Sequence, residues 1–61
     1  MIRIKNTIIY PSKVVAFTLD GVVIEILFET GHLTYINCND LDAAKNSFNK
    51  LEEAVIALLK G

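Results

Sequence analysis

The spacing of apolar residues changes once along this chain, at Asp40, and that change sets what it can fold into. Beyond it, Leu41, Ala44, Phe48, Leu51, Val55 and Leu58 recur at intervals of three and four, which places them on one face of a helix running from Asp40 to Lys60. Before it, four stretches, Ile2 to Tyr10, Lys13 to Leu19, Val22 to Glu29 and His32 to Cys38, are rich in the Ile, Val, Thr, Phe and Tyr that suit a pleated, half-buried surface. Turn-forming residues separate them at Pro11-Ser12, Asp20-Gly21, Thr30-Gly31 and Asn37 to Asp40. The pattern predicts an α+β domain over residues 1–61: a four-stranded antiparallel meander followed by one C-terminal amphipathic helix packed on one face (ββββα). No repeat, low-complexity segment or linker divides it.

The turns suggest a register. With Asp20-Gly21 as a two-residue hairpin turn, Leu19 pairs with Val22, Phe17 with Ile24 and Val15 with Ile26. A two-residue turn at Thr30-Gly31 continues this with Phe28 against Leu33 and Ile26 against Tyr35, making one face almost wholly apolar. The opposite face then carries Val14, Ala16, Thr18, Val23, Glu25, Leu27, Glu29, His32, Thr34 and Ile36, more apolar than the solvated side of an antiparallel sheet usually is. At the helix, Asn39 is the expected N-cap, Asp40 and Asp42 complement the dipole of the first turn, and Lys60 with Gly61 closes the far end.

A chain of 61 residues is near the lower limit for folding unaided, where disulfides, a metal or oligomerisation commonly help. One cysteine, Cys38, makes no internal disulfide, and one cysteine with one histidine, His32, falls short of a four-ligand zinc site, so oligomerisation is the support expected. Two surfaces ask for it. The run Ala54-Val55-Ile56-Ala57-Leu58-Leu59 faces every side of a helix, so Ile56 and Leu59 fall off the core stripe, and the helix end is expected to project beyond the strands. The mixed sheet face adds an apolar patch of Val14, Val23, Leu27 and Ile36, with Glu25, Glu29 and His32 as a polar rim. The expected interface is therefore Val23, Glu25, Leu27, Glu29, His32, Ile36, Ile56 and Leu59, serving a homodimer or higher homo-oligomer and a second protein.

Chemistry is sparse. Glu29 and His32 flank the second hairpin turn and with Glu25 could be drawn as an acid-base pair, but no nucleophile or oxyanion hole accompanies them, and a histidine beside a glycine turn is usually solvated. Cys38 precedes the helix N-terminus, where Asp40 and Asp42 oppose a thiolate, so a small packed side chain is the simpler reading. Gly21, Gly31 and Gly61 stand alone and form no phosphate-binding loop, and capping accounts for Asn39, Asp40 and Asp42 without calcium. The reading is a non-enzymatic chain without a cofactor.

A net charge of -1 lacks the positive excess with which proteins neutralise phosphates, which disfavours nucleic acid. Arg3, Lys5 and Lys13, with Tyr10 among them, are the nearest approach to a basic patch, and lysines on an edge strand already discourage unwanted pairing. No apolar run reaches the ~20 residues that cross a bilayer, and Met1-Ile2-Arg3-Ile4-Lys5 has no signal-peptide block, so a cytoplasmic location with reduced Cys38 and no membrane contact is expected.

The sheet-then-helix order resembles, in architecture, the single-stranded-DNA-binding coactivator and Whirly domains, though their basic and aromatic binding residues are missing. The segment Val23-Ile24-Glu25-Ile26-Leu27-Phe28-Glu29-Thr30-Gly31 is similar to the strand-Gly-strand pattern of short flagellar FlbD-type proteins. Binding is the function these features predict: a dimeric accessory, regulatory or phage-encoded inhibitor protein, with single-stranded nucleic-acid binding as the alternative.

Overall fold

The computed structural model describes residues Met1 to Lys60; Gly61, expected to stop the helix, lies outside the described residues. Strands β1 (Ile2–Ile4), β2 (Thr7–Ile9), β3 (Val14–Asp20), β4 (Val23–Phe28) and β5 (Leu33–Asn37) precede a single helix, α1 (Leu41–Lys60), with a 3₁₀ turn at Pro11–Lys13. The class is α+β with a C-terminal helix, but the strands form two antiparallel sheets, β1-β2 and β3-β4-β5, and not one four-stranded meander.

The expected first strand, Ile2 to Tyr10, is a hairpin. It reverses at Lys5-Asn6, with Ile4 opposite Thr7 and Ile2 opposite Ile9. Lys5 adopts a left-handed backbone, φ 53°, and its ammonium donates to the Asn37 carbonyl at 2.7 Å, tying the turn to the end of β5. Folding back lets Ile4 and Ile9 both reach the core, whereas on one straight strand residues five apart would face opposite sides.

The β3-β4 hairpin closes at Asp20 opposite Val23, with Gly21-Val22 as its turn. Gly21, at φ 63°, takes the first linking position, where a type II′ turn requires glycine. Leu19 therefore faces Ile24 and Phe17 faces Ile26, two residues along from the expected pairs. A shift of two preserves the faces, so Phe17 and Leu19 still pack inward. The exception is Val15: the register breaks between Val14 and Ala16, and Val15 is exposed where an inward position was expected.

The β4-β5 connection has three residues, Glu29-Thr30-Gly31, and not two. The Gly31 amide donates to the Phe28 carbonyl, the Phe28 amide donates to the His32 carbonyl, and Gly31 has φ 90°, the arrangement of a turn followed by a left-handed residue. Ile26 consequently faces Thr34, and Ile24 faces Ile36. This shift of one residue exchanges the faces of β5: Thr34 and Ile36 point inward, whereas Leu33 and Tyr35 point outward.

The core consists of Ile4, Ile9, Ile24, Ile26, Ile36, Cys38, Ala44 and Leu51, with Phe17, Leu19, Phe28, Phe48 and Val55 packed around it. Phe17 and Phe48 meet with ring centroids 5.2 Å apart and planes tilted by 54°. Of the predicted helix stripe, Ala44, Phe48, Leu51 and Val55 reach the core, while Leu41 and Leu58 at its two ends are exposed. Asp40, not Asn39, caps the helix: its carboxylate accepts from the Ala43 amide at 3.0 Å, and Asn39 takes a left-handed backbone, φ 63°.

Leu51 is fully buried, so Leu51→Ala should lower the unfolding free energy by about 2–5 kcal/mol in urea denaturation. Loss of the cap in Asp40→Ala should cost about 1 kcal/mol by the same measurement.

Candidate interaction surface

Because Ile24 and Ile26 face the core, their β4 neighbours Val23, Glu25 and Leu27 face away from it. The pairings arrange the outer face of the β3-β4-β5 sheet in three rows: Ala16, Leu27 and Leu33; Thr18, Glu25 and Tyr35; Asp20, Val23 and Asn37. The first row is wholly apolar and is extended by the exposed Val15 at the bulge. Tyr35 is 60% exposed and Leu33 45%, and the helix and the β1-β2 hairpin contribute their buried residues to the other side of the sheet.

Of the eight residues expected at an interface, Val23, Glu25 and Leu27 stand together here, half-buried by their neighbours. Ile36 does not: it is 4% exposed and belongs to the core, because the three-residue loop turned β5 over. Glu29 and His32 lie exposed in and beside that loop. Ile56, 42% exposed, and Leu59, 82% exposed, lie on the helix and are not part of the sheet face. Leu33 and Tyr35 are the residues that sequence reasoning missed. The signal that could have found them is Glu29 before Thr30-Gly31, which allows a loop of three as readily as one of two.

The Glu29 carboxylate is engaged by Lys13, whose ammonium donates to Oε1 at 3.1 Å, and the Glu29 amide also donates to the Lys13 carbonyl at 2.9 Å. Among the described residues no hydrogen bond joins Glu29 to His32, whose amide donates to Thr30 Oγ1 at 3.4 Å. Beside this pair an open groove of about 450 Å³ is lined by Ile8, Tyr10, Phe28, Thr30 and His32. Arg3 and Lys5 are occupied as well: Arg3 Nε donates to the Lys5 carbonyl at 3.1 Å, and Lys5 reaches Asn37. All three cations of the possible basic patch are thus held by this chain's own acceptors.

Cys38 is buried against the core, and its amide donates to the Val22 carbonyl at 2.8 Å. Among the described residues no group of three or more His, Cys, Asp or Glu side chains gathers in a metal-binding arrangement. No helix among the described residues is long and apolar enough to cross a membrane.

No protein-family model, curated protein or solved structure matches this chain.

Both partners of the Lys13–Glu29 pair are more than half exposed, so Glu29→Gln should change stability by less than about 1 kcal/mol, with the difference shrinking further in added salt during urea denaturation.

Proposed function

We propose that this chain is a non-enzymatic, homodimeric protein-binding module and that the outer face of its three-stranded sheet receives a partner protein. The observation carrying this reading is the apolar row of Ala16, Leu27 and Leu33 with Val15 beside it and Tyr35 in the next row, on a face from which the helix and first hairpin are absent. A contiguous apolar patch on so small a protein is the usual mark of a protein contact, with Glu25, Thr18 and Asn37 supplying a polar surround. The net charge of -1 and the pairing of Lys13 with Glu29 support a protein over a nucleic-acid partner, which would need an excess of cations along a groove.

The test is capture from nuclease-treated extract of the native cell by immobilised wild type, Leu27→Asp and Ile56→Asp. A stoichiometric protein should be held by wild type and by Ile56→Asp and lost by Leu27→Asp, which places a charge in the apolar row without touching the core. Retention by Leu27→Asp, or capture that disappears with nuclease, overturns the assignment.

A further inference from the structure

The three-stranded sheet has two outer strands, and their edges differ. The β3 edge is interrupted by the irregularity between Val14 and Ala16 and is flanked by Lys13 and Asp20. A bulge and charges of this kind are what proteins use to prevent strand addition. The β5 edge has no bulge: Leu33-Thr34-Tyr35-Ile36-Asn37 contains no charge and no proline of its own, its pairing with β4 runs without a shift, and the Lys5 ammonium reaches it at its last residue, Asn37.

Hydrogen-bond parity determines which of its groups are free. The Cys38 amide donates to the Val22 carbonyl and the Phe28 amide to the His32 carbonyl, so the even-numbered residues of this segment exchange bonds with β4. In an antiparallel ladder the intervening residues, Leu33, Tyr35 and Asn37, then turn their N–H and C=O groups away from β4. The Asn37 carbonyl is met by Lys5, and a carbonyl oxygen retains a second lone pair. Among the described residues, no hydrogen bond outside the strand ladders reaches the other outward backbone groups.

We propose that the β5 edge is the contact between two copies of this chain, each laying its β5 antiparallel to the other about a two-fold axis through Tyr35. The inference rests on the homodimer reading above and specifies how the dimer is made. The occupant is a second copy because the edge is complementary to itself: Tyr35 meets Tyr35, and Leu33 meets Asn37 in both directions. Every outward donor then faces an outward acceptor, forming about six backbone hydrogen bonds. With no charge anywhere on β5, no like charges face each other in this register. A two-fold axis perpendicular to the sheet puts both helices on one side of a continuous six-stranded sheet and joins the two outer faces on the other. The partner surface proposed above is thereby doubled and remains open.

Sedimentation equilibrium of wild type, Tyr35→Ala and Tyr35→Pro tests this, with circular dichroism to establish that each variant folds. Proline at an edge position whose N–H points outward removes no ladder bond within the monomer but deletes both bonds at the axis, one from each copy. Tyr35→Pro should raise the dimer dissociation constant about tenfold or more relative to Tyr35→Ala, which has lost the same ring but keeps the amide. Should the proline variant not fold, Tyr35→Lys, which sets two like charges against each other on the axis, should give the same loss. In wild type, the amides of Leu33, Tyr35 and Asn37 should exchange more slowly with solvent deuterium as protein concentration rises. A wild type that is monomeric at high micromolar concentration overturns the homodimer itself. A dimer that persists in the folded Tyr35 variants, with those amides unprotected, overturns the edge pairing and leaves the homodimer standing.

Discussion

The three-residue loop Glu29-Thr30-Gly31 governs which half of β5 becomes core. Its length is odd relative to a simple two-residue hairpin, so it places Ile36 beside Ile24 and delivers Tyr35 to the opposite side. Gly31 makes this geometry accessible, since its left-handed φ of 90° is one that a side-chain-bearing residue adopts only with strain. Which β5 side chains the outer face of that sheet presents depends on this parity.

Among the described residues the buried set is small and contains no polar or charged residue: β4 supplies Ile24 and Ile26, the first hairpin Ile4 and Ile9, and the helix Ala44 and Leu51. Hairpin and helix both serve the same side of the three-stranded sheet. Among the described residues no element covers the other side, and residues of the kind that fill interiors, Leu33 and Tyr35 among them, lie at the surface there. The few polar tethers act at the margins, where Lys5 joins the first hairpin to β5 and Lys13 joins the 3₁₀ turn to the loop after β4.

Much of the architecture is legible in the sequence. The helix could be located because Ala44, Phe48, Leu51 and Val55 repeat with its own period, and the central strands because β-branched and aromatic residues cluster between turn residues. Part of the outer sheet face was legible too, since Val23, Glu25 and Leu27 alternate with Ile24 and Ile26 whatever strand lies alongside. What failed was the counting of turns. Lys5-Asn6 carries no glycine or proline, so a reversal that depends on Lys5 entering a left-handed conformation left little trace in the sequence. Asn39 and Asp40 are both good caps, and only the observed bond to the Ala43 amide chooses between them.

The sequence by itself determined the kinds of element, their order, the side of β4 and the stripe of the helix that turn inward, because these follow from periodicities local to each segment. Tertiary structure decided how the strands group into two sheets, how β5 is turned, and hence that Ile36 is buried while Leu33 and Tyr35 face outward. Those outcomes depend on whether a loop holds two residues or three and on what packs against the strand it delivers. Because side chains in a strand alternate with a period of two, a difference of one residue reverses a whole face, and several short patterns in this chain admit either count.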